Sequence, residues 1–150
     1  MKPILYGSSE REFSTNGIGV LSDVLSCVVE EERNGSYELT MTYPVGGKHF
    51  SELVPRAIIL AKPNSSDQPQ PFRIYQIGKP LNGIVEIYAQ HISYDLSGVA
   101  VSPFSATGID NVISAMLENS VPKNHGFTLT TNEAGGTGII VDFPSSFRSL

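Results

Sequence analysis

Apolar and polar residues alternate in short runs along most of this chain, and glycine or proline separates the runs. Two such runs, Leu25–Glu32 and Tyr37–Tyr43, flank Arg33-Asn34-Gly35-Ser36. An Asn-Gly pair between β-prone runs is a strong hairpin signal, because both residues tolerate a positive φ. The pattern therefore predicts a β-hairpin in this region.

The length of its loop decides which side chains share a face. A two-residue loop, Asn34-Gly35, mixes polar and apolar side chains on both faces, whereas a three-residue loop with Gly35 in the left-handed conformation gathers the apolar ones on one face. The cross-strand pairs are then Val29 with Leu39, Cys27 with Met41, and Leu25 with Tyr43. We expect the three-residue loop, although it places Glu30 opposite Glu38, where like charges repel.

A second hairpin is predicted from Pro71–Ile77 and Ile84–Ile92, joined through a two-residue Asn82-Gly83 loop. Both of its strands carry apolar residues on both faces. Such strands belong inside a barrel or sandwich, or they meet another subunit. Between the hairpins, Ala57–Ala61 is predicted to be another buried strand.

One segment near the end has the period of a helix. Its apolar residues are Ile109, Val112, Ile113, Met116 and Leu117. This spacing predicts a helix over about 108–119, with Thr107 as its N-cap and Pro122 limiting its other end. Gly126–Thr131 and Gly138–Phe143 are then predicted to be two strands around a glycine-rich turn.

These elements predict a mainly β (α+β) fold. We expect a small β-barrel-like module built from hairpins over residues 1–100 and the start of a small αβ module over 101–150, because the composition shifts near Gly98–Ser105. No closing signal precedes Leu150, so we expect the second module to be truncated there. With 40% hydrophobic and 17% charged residues, the chain is too apolar to be disordered.

Charge and composition exclude several classes of function. Ten Lys and Arg against fifteen Asp and Glu give a net charge of −5, which argues against tight binding to a phosphate backbone. The single cysteine, Cys27, cannot form an internal disulfide. Since the N-terminus has no long apolar segment and no run approaches about 18 apolar residues, we expect neither a signal peptide nor a membrane span.

The sequence offers no catalytic or metal-binding pattern. His49, His91 and His125 are far apart, and neither Cys-x-x-Cys nor Gly-x-Ser-x-Gly occurs. Cys27 falls on the predicted core face, where a cysteine behaves as a small hydrophobe. We interpret His91 as a partly buried histidine bonded to the backbone, and we expect no catalytic residue, metal or cofactor.

The most distinctive polar feature is an acidic patch on the first hairpin. Glu30, Glu32 and Glu38 share one face in the predicted register. Paired carboxylates can serve a glycosidase or hold Ca²⁺, while a charge run on a hairpin commonly forms a solvated face. The remaining interpretation is an interface with a basic partner.

Three stretches in a fixed order resemble the N-terminal region of phage minor structural proteins, also called prophage tail endopeptidase or tail-associated (Tal-like) proteins. They are residues 28–39 with Tyr43-Pro44, residues 70–75, and residues 85–96. The terminal Phe147-Arg148-Ser149-Leu150 resembles the start of a segment that continues in longer members of that family. The resemblance covers most of the chain and includes no catalytic motif.

This resemblance implies a structural role at the tail tip of a phage or prophage. Family members form a baseplate hub in which three copies build a ring of β-barrel modules that closes or extends the tail tube. The implied partners are sister copies in a homotrimer, the distal tail protein ring, and tube and tape-measure components, with DNA only as passing cargo. The implied location is the virion tail tip, after synthesis in the bacterial host cytoplasm.

The resemblance places any endopeptidase or lysozyme-type activity downstream, so this stretch is expected not to be an enzyme. Two alternatives stay open, a peptidoglycan hydrolase or endopeptidase and a receptor-binding β-module of the tail tip.

Overall fold

Seven short strands in the first part of the chain form one antiparallel sheet. The structure, a computed structural model, describes residues 1–123, 125–130, 140–142 and 148–149. The strands are β1 (Ile4–Tyr6), β2 (Gly19–Val20), β3 (Ser26–Glu31), β4 (Tyr37–Pro44), β5 (Ile58–Ala61), β6 (Gln70–Ile77) and β7 (Ile84–His91), with a short 3-10 helix, Phe50–Glu52, between β4 and β5. Their order across the sheet is β2-β1-β5-β6-β7-β4-β3, so β2 and β3 lie at opposite edges although they follow each other in sequence.

The link between these two edge strands controls the shape of the sheet. Only residues 21–25 separate Val20 at the end of β2 from Ser26 at the start of β3. The edges of a flat seven-stranded sheet would lie about 29 Å apart. The link reaches at most about 21 Å when fully extended. The sheet must therefore curl, and it forms the half-barrel that the predicted barrel-like module requires.

The concave side of the curled sheet holds the main hydrophobic core. Its largest buried side chains are Leu5, Leu21, Leu39, Met41, Tyr43, Phe72, Ile59, Ile74 and Ile87. Leu21 from the link and Cys27 from β3 belong to the same cluster as Leu5 from β1. Hydrophobic burial thus holds the two edges around one core.

The first hairpin has the register predicted from its apolar residues. Its cross-strand pairs include Val29–Leu39, Cys27–Met41 and Glu30–Glu38. The left-handed residue of the loop is Asn34, with φ of 60°, and the prediction of Gly35 is wrong. The Gly35 N–H donates to the Glu32 carbonyl at 3.0 Å. This bond closes a turn whose third residue is Asn34, a position that takes positive φ in type II turns.

Gly35 is required for space rather than for its φ. A Cβ atom at this position would lie 2.7 Å from the side chain of Glu32. The tight approach therefore accounts for the glycine that the sequence analysis assigned to a left-handed conformation.

Leu25 does not join the core, contrary to its predicted pairing with Tyr43. Its N–H donates to the Thr42 carbonyl at 3.1 Å, and Thr42 also lies opposite Ser26. Two residues of one strand opposite one residue of its partner form a β-bulge. Leu25 is consequently 58% exposed, and Leu21 occupies the core.

The second hairpin has the predicted two-residue loop. Asn82 and Gly83 have φ of 52° and 77°, the two positive values that a type I′ turn needs. Its strands bury Phe72, Ile74, Val85, Ile87 and Ala89. The register of β6 against β7 shifts at Tyr75, which is an extra residue of β6.

A second, smaller cluster lies on the other side of β1 and β5. It consists of Tyr6, Ile58 and Leu60, with Ile4, Phe13 and Ile92 packed against it. Arg73 of β6 lies opposite Ile58 and is buried. Its guanidinium donates to the carbonyls of Ser8 and Arg56 at 3.0 and 2.9 Å, so one buried cation ties β6 to two distant loops.

The chain after Ile92 forms a second compact unit, Ser93–Leu150. Its elements follow a short 3-10 helix, Ile92–Gly98, and are β8 (Ala100–Val101), β9 (Ser105–Thr107), α1 (Ile109–Glu118), β10 (Ser120–Val121), β11 (Ile140–Asp142) and β12 (Arg148–Ser149). β8 pairs with β10 and β12, and β9 pairs with β11. The predicted boundary near residue 100 lies inside this unit. Among the described residues, no helix has the length and apolar character needed to cross a bilayer.

The helix has the predicted extent but a different N-terminal cap. Gly108 precedes the first helical residue, and no side chain caps the N-terminus of the helix. Thr107, the predicted N-cap, is the last residue of β9 and pairs with Ile140. Strand pairing therefore fixes the Thr107 backbone, and the cap falls on the next residue.

The predicted pair of C-terminal strands is wrong in part. Residues 126–130 have no regular structure, whereas β11 lies within the predicted Gly138–Phe143 strand and pairs with β9. The glycine-rich turn at residues 132–138 and the terminal Leu150 lie outside the described residues.

Two leucines of the edge-to-edge link provide a direct test of the core. Leu21→Ala should lower the free energy of unfolding by about 3 kcal/mol, because Leu21 is fully buried and its truncation leaves a cavity. Leu25→Ala, the matched control, should change it by less than about 0.5 kcal/mol. Urea denaturation of both variants measures the difference, and equal losses would contradict the bulge that turns Leu25 outward.

Candidate interaction face of the sheet

Acidic and tyrosine side chains lie together on the convex face of the sheet, on the side opposite the main core. Because side chains alternate along a strand, the buried Leu39 and Met41 place their neighbours on this face. We call it the acidic face and define it by Glu30 of β3, Glu38 of β4, Tyr75 of β6, and Glu86 and Tyr88 of β7.

The structure brings the three predicted acidic residues to one end of the first hairpin. Glu30 and Glu38 are cross-strand partners, and Glu30 is exposed while Glu38 is half-buried. Glu32 is exposed, and its N–H donates to the Ser36 carbonyl at 2.8 Å. Their predicted role as a partner interface stays a prediction.

Tyr75 and Tyr88 form a pair of rings between two carboxylates. Their ring centroids are 6.4 Å apart, and Tyr75 is 46% exposed. The Tyr88 hydroxyl donates to Glu86 Oε2 at 2.6 Å, and the Tyr75 hydroxyl lies 3.5 Å from Glu38 Oε2. Burial and then the Glu38 charge raise the pKa of Tyr75, while the hydrogen bond to Glu86 raises the pKa of Tyr88. Both phenols therefore remain protonated donors at neutral pH.

Sequence reasoning missed this arrangement. It treated both strands of the second hairpin as apolar on both faces and gave neither Tyr75 nor Tyr88 a carboxylate partner. Glu38 and Tyr75 lie on β4 and β6, which are separated by β7 in the sheet. Only the pairing of β4 with β7, two strands distant in sequence, brings them within reach, and no local pattern indicates that pairing.

An open pocket of about 430 Å³ adjoins the acidic face at the tip of the second hairpin. It is lined by Thr42, Gly78, Lys79, Leu81, Asn82, Ile84 and Glu86. Leu81 and Ile84 are exposed apolar residues, and Lys79 and Glu86 supply one charge of each sign. The lining contains no histidine, cysteine or serine, and its side chains with a nucleophilic atom are Thr42, Lys79 and Glu86.

The thiol of Cys27 is a poor nucleophile. Burial raises the pKa of its thiol to about 11, so the thiolate that acts as a nucleophile is scarce at neutral pH. The side chain packs against the main core as expected for a small hydrophobe.

His91 belongs to an aromatic cluster rather than to a catalytic site. Its ring stacks on Tyr37 at 4.5 Å and meets the edge of Phe72 at 5.6 Å, and its Nε2 lies 3.3 Å from Gln70 Oε1. The structure shows Gln70 as a side-chain partner of the ring, and the predicted backbone bond stays a prediction. Burial lowers the pKa of His91, because the cluster favours the uncharged ring.

Ser120 and His125 are close together, but their hydrogen bonds run the wrong way for a nucleophile and its base. The Ser120 hydroxyl donates to the Leu117 carbonyl at 2.7 Å, and it lies 3.1 Å from His125 Nε2. The Phe127 N–H donates to His125 Nδ1 at 3.0 Å. The tautomer assigned from these bonds carries its proton on Nε2, so the imidazole donates to the serine rather than accepting its proton. Within the described ranges, no three His, Cys, Asp or Glu residues are grouped to hold a metal ion.

The Glu30–Glu38 pair predicts a stabilising substitution. Glu30→Lys replaces a like-charge contact by an attractive one and should raise the free energy of unfolding by at most about 1 kcal/mol. Glu32→Lys, which makes the same charge change opposite Ser36, should have a smaller effect. Urea denaturation at low and high salt measures both, and a salt-independent gain in Glu30→Lys would contradict the electrostatic cause.

The His91 cluster predicts a loss of stability in mild acid. The folded-state pKa of His91 lies below its ordinary value of 6.5, so the unfolded chain binds the proton more readily. The contribution is therefore present above about pH 6.5 and is lost as the pH falls. His91→Phe should flatten the decrease in unfolding free energy between about pH 7.5 and 5.5. Parallel pH profiles for the two proteins would contradict this assignment.

Comparisons with known proteins support the fold. No protein-family model matches the chain, and no curated protein matches it. The chain is similar to the crystal structure of the prophage tail protein gp18 from Listeria monocytogenes EGD-e, with a TM-score of 0.66 and 13% sequence identity. The match covers 97% of this chain and 41% of the gp18 chain, so this chain spans less than half of that protein.

An identity this low shows a shared fold, and it confirms the predicted mainly β (α+β) class. For the expected resemblance to phage tail proteins, this comparison shows a fold shared with one prophage tail protein. The comparison does not separate tail-associated endopeptidases from other tail proteins.

Proposed function

We propose that this chain is a structural part of a phage or prophage tail. The observation that carries the proposal is the fold match to a prophage tail protein over 97% of the chain. The three ordered stretches that resemble phage minor structural proteins are a separate argument, from sequence, for the same class of particle.

Within the tail, we propose the hub at the tail tip, where three copies would form a ring that closes or extends the tube. A curled sheet whose convex face carries the exposed Tyr75 and several carboxylates supports this role, because a ring of barrels needs contact surfaces outside each core. The distal tail protein ring is the neighbour expected from the family resemblance, with tube and tape-measure components nearby and DNA as cargo.

The groups in the described residues support an architectural rather than an enzymatic role. Burial raises the pKa of the Cys27 thiol, His91 is packed within an aromatic cluster, and His125 donates to Ser120. These surroundings support a structural role for the three side chains. Any cell-wall hydrolysis by the particle is proposed to come from other residues.

Binding of a cell-surface glycan is a second candidate function, favoured by the acidic face. Exposed tyrosine rings such as Tyr75 can cover a sugar ring, and the carboxylates of Glu38 and Glu86 can accept bonds from its hydroxyls. Glycan-array binding that is lost in Tyr75→Ala would favour this role over the structural one.

Immunogold labelling tests the structural proposal on intact particles. Antibodies raised against this chain should label induced phage particles at the tail end farthest from the capsid, and the same antibodies preadsorbed with the chain should not. Light scattering of the native protein released from those tails should give a trimer. Particles that carry no label would overturn the tail assignment, and label elsewhere on the tail or a monomer would overturn the hub.

A further inference from the structure

β3 is an open edge of the sheet. It is the last strand in the order, and none of the described residues pairs with its outer side. Ser26, Val28, Glu30 and Glu31 are all exposed. The edge therefore offers a row of backbone groups to an incoming strand.

A hydrogen bond beside the loop of the first hairpin identifies which backbone groups of β3 face outward. The Glu32 N–H donates to the Ser36 carbonyl at 2.8 Å. Because bonding residues alternate along an antiparallel pair, Val28 and Glu30 also bond to β4. Cys27, Val29 and Glu31 must then direct their N–H and C=O groups away from the sheet.

The hydrogen bonds between β4 and β7 lead to the same assignment of inward and outward backbone groups. The Val45 N–H donates to the Gly83 carbonyl at 2.9 Å, which places the odd-numbered residues of β4 against β7. Its even-numbered residues, among them Glu38 and Thr40, are left to bond with β3. Glu38 lies opposite Glu30, which agrees with the alternation of bonding residues derived from the Glu32 hydrogen bond.

The two edges of the sheet differ in how well they are protected. β2 has two residues, which blunts that edge. β3 has six residues, contains no proline, and exposes 51% of Val28 at its centre. A single exposed valine is ordinary, so the length of this unpaired strand is what distinguishes it from β2.

Charge indicates which kind of strand fits. Glu30, Glu31 and Glu32 follow one another at one end of the edge, and Glu38 lies opposite Glu30. Among the described residues, no lysine or arginine forms an ion pair within 4 Å with any of these four carboxylates. A second copy of the same edge would add three more glutamates, whereas a basic strand would neutralise them.

We propose that the outer edge of β3 binds an extended segment of another protein, which adds to the sheet as a strand and places lysine or arginine beside Glu30. Backbone bonds to Cys27, Val29 and Glu31 would hold the segment, and the side chains next to Val28 and Glu30 would select it. This inference stands on the geometry of the edge and not on the tail proposal. Failure of strand addition would leave the particle-labelling result unchanged, and the reverse also holds.

Amide hydrogen exchange, followed by NMR on the 150-residue chain, tests the proposal residue by residue. In the free protein, the amides of Val28 and Glu30 should exchange slowly and those of Cys27, Val29 and Glu31 rapidly. A blocked decapeptide that alternates threonine with lysine should slow exchange at these three amides by at least about tenfold. A blocked decapeptide that alternates threonine with glutamate is the matched control and should leave the exchange rates of these amides unchanged.

A charge-reversal variant tests whether the glutamates of β3 select a basic strand. In Glu30→Lys/Glu32→Lys, both substituted positions are exposed, and the preference should shift from the lysine to the glutamate peptide by about fivefold or more in dissociation constant. Protection of all five amides in the free chain would overturn the open edge. Equal binding of both peptides, or none of either, would overturn the basic partner. Protection that grows with protein concentration alone would assign the edge to a second copy instead.

Discussion

The short link between β2 and β3 is the constraint on which the first unit depends. Five residues connect strands that lie at opposite edges of a seven-stranded sheet, so the sheet can form only if it curls. Curling creates a concave side, and Leu21 within the link is buried there together with Leu5 from the far side of the sheet. The connection and the core therefore require each other, since the link sets the curvature and hydrophobic burial holds it.

Local signals in the sequence were enough to predict both hairpins. Alternation within a few residues of an Asn-Gly pair fixes which side chains can share a face, and this predicted Val29 opposite Leu39 correctly. The predictions for Leu25 and Gly35 were wrong for the same reason. A bulge and a turn conformation are decided by single backbone hydrogen bonds, here from the N–H groups of Leu25 and Gly35, and binary patterning does not encode them.

Contacts between distant strands could not be predicted in the same way. β4 and β7 pair across a long stretch of sequence, and this pairing builds both the acidic face and the stacking of Tyr37 on His91. The individual residues were visible in the sequence, but their neighbours were not. The acidic patch was predicted as a group because Glu30, Glu32 and Glu38 belong to one hairpin, whereas Glu86 and Tyr88 join it only through the β4–β7 register.

The polar groups of this chain divide into those satisfied within the fold and those directed outward. Arg73 is buried against two carbonyls, and the hydroxyl of Ser120 and the ring of His125 complete each other's bonds. Glu30, Glu31 and Glu32 form no ion pair within 4 Å with a described lysine or arginine, and none of the described residues pairs with the outer backbone edge of β3. The unpaired backbone groups and close carboxylates of this edge can be satisfied only by solvent or by another chain, and for that reason the edge rather than the interior carries the proposal of strand addition.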